Sequence, residues 1–262
     1  MMWKRFAMAA PLLAALLWAV PAAAGLKDYV AAPDDSYAFE VVETIEQGAN
    51  TVHKVRLTSQ TWQGIAWEHW LTIFVPEEIE HPDKSMLFIG GGDNIEDEPR
   101  LQSGEAQVVG RVATATQSVV SMLQQVPNQP LFDGLYEDAI IAYTYERFLN
   151  NEGNDWPLLY PMVKSAVRAM DTVTAVVAEN YDAQPQRFMM TGGSKRGWTT
   201  WLTAVVDPRV EQIAPLIIDT LNMPEQMPHH YATYGGYSES IIDYTNLGLQ
   251  ERMQEPRGQL LA

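Results

Sequence analysis

The chain has 262 residues, with 33 Asp+Glu against 17 Lys+Arg for a net charge of −16, and it contains no cysteine. Such acidity disfavours wrapping a nucleic-acid backbone or coating an anionic membrane, and a chain without thiols has no disulfide, no cysteine nucleophile and no cysteine metal site. The length and a 47% hydrophobic content suit one large domain built on its own core.

At the N-terminus, Trp3-Lys4-Arg5 precedes an apolar run from Phe6 to Val20, and Ala22-Ala23-Ala24 supplies small residues for cleavage. This is the pattern of a secretory signal peptide over residues 1–24. The run is short for a membrane span and is interrupted by Pro11. The expectation is an exported, periplasmic or extracellular protein without stable membrane insertion, whose residues 25–262 form a single domain.

The stretch 29–39 is polar and turn-rich, an entry arm. Ala38–Glu46 and Thr51–Thr58 flank Gly48-Ala49-Asn50 and predict an antiparallel hairpin, and Trp67–Val75, ended by Pro76, predicts a third strand. Lys84–Asp93 is an apolar strand running into Gly90-Gly91-Gly92. Gln102–Ala115 reads as a helix, Gln117–Leu123 as a strand, and Glu137–Asn150 and Pro161–Asn180 as two helices, with Pro161 suited to the first helical position.

Residues 187–202 form the most informative stretch. Phe188, Met189 and Met190 make a buried-strand run, Gly192-Gly193 permit a tight turn at Ser194, and Trp198, Trp201, Leu202 and Val205 fall at i, i+3, i+4 and i+7 as the core-facing stripe of a helix. Asp207-Pro208 stops that helix. Val210–Asp219 reads as the next parallel strand, ending on an acid. Met223–Met253 has no strand signal, so residues 222–262 read as the start of a cap insertion.

Strand, sharp turn and helix around a serine is the arrangement that exposes a nucleophile in α/β-hydrolases. A serine there can also merely cap the helix, but capping does not account for the glycine pair, the preceding strand and the basic pair together. The spacing of Gly192, Ser194, Lys195 and Gly197 resembles the elbow of glucuronoyl-esterase-type hydrolases. The string GGSKRGWTTW is closer still to the PhoPQ-activated pathogenicity-related proteins, and the resemblance runs from about Tyr29 to the end. It implies an α/β fold: an α/β-hydrolase-like, mostly parallel sheet with antiparallel N-terminal strands and flanking helices, incomplete at the C-terminus.

The resemblance also implies roles. Ser194 would be the nucleophile, the backbone amides of Gly91, Gly92 and Lys195 the oxyanion donors, and Asp219 a candidate acid. The Lys195 side chain would add positive charge. His53, His69 and His81 read as structural, and His229 and His230 as cap or surface residues. No His/Asp/Glu spacing indicates a metal site, and no cofactor is expected. The chain ends before the strand-helix units that carry the acid and histidine in such hydrolases, so it reads as C-terminally truncated. The implied function is serine-dependent hydrolysis of a small-molecule, glycan or lipid ester. The alternatives are a non-catalytic envelope-stress or virulence-associated binding protein on the same scaffold, or a peptidase.

Overall fold

A computed structural model describes residues 25–220 and 222–261; the expected signal peptide lies outside them. After a short helix α1 (Leu26–Ala31), the alternating segments pair as anticipated. Strands β1 (Ala38–Gln47) and β2 (Asn50–Trp62) form a hairpin closed at Gly48-Ala49, where Gly48 has φ +64°. Strand β3 (Ile65–Pro76) pairs antiparallel to β2.

Strand β4 (Lys84–Ile89), helix α2 (Gly104–Thr116) and strand β5 (Val119–Leu123) then begin the parallel part. Helices α3 (Glu137–Leu149) and α4 (Leu159–Asn180) lead to strand β6 (Arg187–Gly193), helix α5 (Lys195–Val206) and strand β7 (Val210–Leu216). The sheet order is β1-β2-β3-β5-β4-β6-β7, with β5, β4, β6 and β7 mutually parallel and β3 antiparallel to β5. This is the expected α/β architecture with antiparallel strands at its N-terminal edge.

The central strands are buried on both faces because helices cover both sides. In β5, Val119 and Leu123 join the larger core with α3 and α4, while the alternate residues Val120 and Met122 join a second cluster under α2 with Val52, Phe74 and Val109. Strands packed on two sides read as continuous apolar runs, which is how β5 and β6 were legible.

Three details depart from the sequence expectation. Helix α4 starts at Leu159, so Pro161 sits in the first turn rather than at its first position, still among amides that have no intrahelical partner. Strand β7 stops at Leu216 instead of Asp219, because Ile217 turns to φ +55° and leaves the extended region.

The third concerns α5. Its buried residues are Lys195, Gly197, Thr199, Thr200 and Thr203, whereas Val205 is 77% exposed and Trp198, Trp201 and Leu202 are only partly covered. The small face lies on the sheet because the helix approaches too closely for large side chains: a Cβ on Gly197 would lie 2.5 Å from Ile218 and 2.9 Å from the Gly192 carbonyl.

Beneath the antiparallel strands, His69 is fully buried. Its Nδ1 donates towards the carbonyls of Gln124 and Gln125, both 3.2 Å away, so its Nε2 accepts from the Ser59 hydroxyl at 3.0 Å. Burial disfavours the imidazolium and, against the pull of those two carbonyls, brings its pKa down to about 4. His53, whose ring nitrogens meet Thr44 and Tyr181, is likewise lowered by burial.

The unfolded chain therefore takes up a proton at position 69 before the folded one does. The contribution of a neutral His69 to stability is complete above about pH 6.5 and is lost as pH falls through about 4, worth about 3 kcal/mol across that window. Unfolding free energies measured from pH 7 to 4 are expected to fall less steeply in His69→Gln than in the parent. Parallel pH curves would show that His69 does not titrate in this way.

Candidate functional site at the parallel strand ends

The register places four strand ends level. Ile89 of β4 is opposite Leu123 of β5 and Gly192 of β6, and Gly193 of β6 is opposite Leu216 of β7. The chain leaves β4 towards β5 on one side and leaves β6 towards β7 on the other, so the connections diverge between β4 and β6. A crevice at such a divergence, outside the carboxyl ends of the strands, is where open α/β sheets bind ligands. The Gly90-Gly91-Gly92 loop and Ser194 stand on its two sides.

Ser194 is exposed and has φ 55° and ψ −125° as the residue preceding α5. A non-glycine residue held there stores strain on the order of 1–3 kcal/mol. Two contacts hold it: its amide donates to the Leu216 carbonyl at 2.9 Å, and its carbonyl accepts from Trp198 at 3.0 Å. Its hydroxyl does not cap the helix.

The turn is therefore made by the serine itself, and the glycines serve close approach. Gly192 faces the Arg196 backbone and Gly197 faces Gly192 and Ile218, while a side chain on Gly193 would meet open space. In Gly197→Ala, Ile218 and the Gly192 carbonyl would have to shift. The variant is expected to lose about 2 kcal/mol of unfolding free energy in chemical denaturation, and a loss below half a kilocalorie would contradict a tight elbow.

Lys195 and Arg196 reach into a cluster of charges. Arg196 makes a bidentate pair with Glu137, at 2.9 and 2.6 Å, and donates from Nε to the Val126 carbonyl at 2.5 Å. Its guanidinium also lies over Gly91, 2.8 Å from where a Cβ would be. Lys195 Nζ is 2.5 Å from Glu137 and 3.4 Å from Asp138. The lysine charge expected to face the site is thus neutralised within the fold.

Glu137 itself has φ 50° and is held by Gln129, whose side-chain oxygen accepts its amide at 2.9 Å and whose side-chain nitrogen donates to its carboxylate at 2.7 Å. Partial burial opposes ionisation, but the Arg196 hydrogen bonds and charge, then Lys195 and Gln129, outweigh it and hold the carboxyl at about 2. Asp138 accepts the Tyr244 hydroxyl at 2.9 Å. Burial first, then the Asp138 charge, push that phenol well above its ordinary range.

Ser194, Lys195 and Asp219 line one cavity of about 360 Å³ together with Asp138, Tyr145, Trp198 and Tyr244. Its other wall comes from residues after β7: Met223 and Met227 of helix α6 (Met223–Tyr234), Tyr244 of α7 (Ile242–Thr245), Leu249 of α8 (Leu249–Arg252), and Met253. Asp219 lies three residues beyond the strand and accepts from Gln226 at 3.2 Å.

Gly91 and Gly92 do not line this cavity; they stand at the neighbouring strand end, Gly91 beneath Arg196. Among the described residues the backbone amides of Gly91, Gly92 and Lys195 donate to no acceptor. Among the described residues no histidine lines the cavity. His230 accepts from the Ser238 amide at 3.1 Å and packs against Tyr234 and Tyr237, while His229 is exposed. Among the described residues no group of three or more His, Asp or Glu is arranged to hold a metal ion, and no helix is long and apolar enough to cross a membrane.

Sequence reasoning singled out Lys195-Arg196 as a basic pair but passed over Glu137, Asp138, Gln129 and Tyr244 as its partners and neighbours. The only available signal was an acidic pair and a basic pair, Glu137-Asp138 and Lys195-Arg196, which nothing in the chain order brings together. With Lys195 and Arg196 nearly buried, at 6% and 12% side-chain exposure, removing Glu137's charge takes the carboxylate partner from Arg196 and leaves Lys195 with Asp138. Glu137→Gln is expected to destabilise by about 2 kcal/mol, below the roughly 3–5 kcal/mol of a fully buried pair because Glu137 is more than a third exposed. Urea titration of the variant checks this; an unchanged midpoint would show that the cluster is solvated.

The profile of the family described as PhoPQ-activated pathogenicity-related protein matches residues 26–262. Autocrine proliferation repressor protein A of Dictyostelium discoideum is 36% identical over 243 residues, covering 88% of this chain and 48% of that protein. The chain thus spans about half the length of this curated relative. Among solved structures, an acetyl xylan esterase from Paenibacillus sp. R4 superimposes with a TM-score of 0.53 at 11% identity, over 90% of this chain and 68% of that one. A glucuronoyl esterase from Solibacter usitatus aligns over 70% of this chain and 52% of its own length, at 14% identity and a TM-score of 0.44. The chain belongs to the PhoPQ-activated pathogenicity-related protein family and has an α/β-hydrolase-type scaffold.

Proposed function

We propose that the protein is an exported serine hydrolase that cleaves a carboxylic ester through an acyl-enzyme at Ser194. The observation that carries this reading is the serine itself: exposed, backbone-strained and uncapped at the carboxyl end of β6, beside the point where the sheet's connections diverge, and on the wall of a cavity that the residues following β7 complete. In this reading Ser194 Oγ attacks the ester carbonyl, and the Lys195 amide, with those of Gly91 and Gly92 on the adjacent strand end, receives the developing oxyanion. Asp219, which shares the cavity, is the acid candidate. Residues 222–262 form the start of a cap over the site, and residues 1–24 direct export to the periplasm or beyond.

The general base is not supplied by a phenol. Tyr145 and Tyr244 are both raised by burial, so neither gives a phenolate near neutral pH. The second reading is a binding protein that uses the same scaffold without turnover, since fold alone does not fix activity. A peptidase would use the same machinery on an amide.

A fluorophosphonate probe separates these readings. Labelling mapped by peptide mass spectrometry is expected at Ser194, absent in Ser194→Ala, and accelerated at least tenfold by added imidazole, which can act as a diffusible base. Failure to label even with imidazole would leave the binding reading in place of the hydrolase.

A further inference from the structure

We propose that Gln250 is the specificity-determining residue of the cavity beside Ser194, and that its carboxamide receives a hydroxyl of a sugar ring. This deepens the hydrolase reading and rests on it for the word substrate, though not for the binding itself. Gln250 follows Leu249 in α8, is only 6% exposed and lines the cavity. Its Oε1 is buried and accepts no hydrogen bond from the described residues. Buried side-chain polar atoms are nearly always paired, because taking an amide out of water without a partner is unfavourable. The fold by itself gives no reason for a glutamine here.

The chemistry of the ligand follows from both ends of the carboxamide. The terminal torsion of a glutamine side chain is broad, so rotation turns either the oxygen or the nitrogen towards the cavity. A hydroxyl both donates and accepts, and it complements the group in either orientation. Thr220 and Ser240 line the same space with hydroxyls of their own, whereas Trp198, Met223 and Met227 supply apolar surface. A pyranose ring has this dual character, with hydroxyls at its rim and C–H groups on its faces that pack against an indole. About 360 Å³ lies near the lower end of the roughly 300–1,000 Å³ of small-molecule sites, which suits one such ring.

The test uses the methyl glycosides of glucose, galactose, mannose and xylose, followed by the monodeoxy analogues of the tightest of them. None carries an ester, so binding is read without turnover, by calorimetry and tryptophan fluorescence on the whole chain. One monodeoxy analogue is expected to bind about tenfold more weakly than its parent sugar. In Gln250→Leu the parent sugar should weaken by the same factor, while that analogue binds as it does to the unaltered protein. The penalty is shared because the sugar hydroxyl and the carboxamide are the two halves of one hydrogen bond.

Stability of the free protein gives an independent reading. A carboxamide bonded within the fold would make Gln250→Leu less stable, whereas one kept for a ligand should leave the thermal midpoint unchanged or raise it by about 2–4 °C. Gln250→Met, unbranched and of similar length, repeats both measurements should leucine not fit. Binding of none of the glycosides, a deoxy series without a penalty or with one that persists in the variants, or a midpoint lowered in both variants would overturn the proposal. If the shared penalty holds and Ser194 fails to label with fluorophosphonate, the hydrolase reading falls and the sugar site stands. If Ser194 labels and no glycoside binds, only the sugar site falls.

Discussion

The pairing of Glu137 with Arg196 and Lys195 is the interaction on which the rest of the site depends. It joins the start of α3 to the first turn of α5, and through Arg196 it reaches the Val126 carbonyl after β5 and the Gly91 backbone after β4. The chain after β5 and the chain after β6 are thereby tied to one carboxylate, with Gly91 after β4 lying close against the Arg196 guanidinium. Charge-assisted hydrogen bonds are roughly twice as strong as neutral ones, and here they hold backbone that lacks regular pairing. Gln129 completes the arrangement by bonding both the amide and the carboxylate of Glu137, fixing a residue whose own φ is positive.

With that clamp in place, the strain at Ser194 becomes tolerable. The serine cannot relax towards the helix because α5 is pressed onto the sheet through Gly197 and its threonine face, and it cannot relax towards the strand because its amide is bonded to Leu216 of β7. Close approach has a second effect. The large residues of α5 are only partly covered, so Trp198 packs against the edge of the core and also forms part of a cavity wall. One steric requirement therefore both exposes the serine and supplies an apolar surface beside it.

The sheet was legible in the sequence because its signals are local: β-favouring runs in β2 and β3, the latter ended by Pro76, continuous apolar runs in β5 and β6, and a glycine-initiated turn between β1 and β2. The elbow was legible for the same reason. The stripe of α5 was read only in part: Trp198 and Leu202 do pack against the core, but Val205 is exposed and the fully buried face is the small one, because a Cβ on Gly197 would lie 2.5 Å from Ile218. Asp219 was read as a strand terminus, and a left-handed Ile217 ends the strand early, yet the acid still reaches the same cavity as Ser194. Glu137 stayed hidden for a different reason: it is 59 residues from Arg196, and a salt bridge at that separation leaves no periodic trace.

The fate of the basic pair determines which kind of electrostatics is available at the serine. A lysine directly after a nucleophile invites the idea of a side-chain cation facing the substrate, but Lys195 is 6% exposed and bound to two carboxylates on α3. Its side chain stabilises the elbow, and the residue's remaining electropositive group is its backbone amide at the first turn of α5. Stabilisation of an oxyanion would therefore come from oriented N–H dipoles fixed by the fold, which need no reorganisation as charge develops. Such dipoles act over a few ångströms and discriminate little between ligands. In the proposed hydrolysis, selection would then rest with the cavity wall, where methionine, tryptophan and leucine side chains stand beside Ser194.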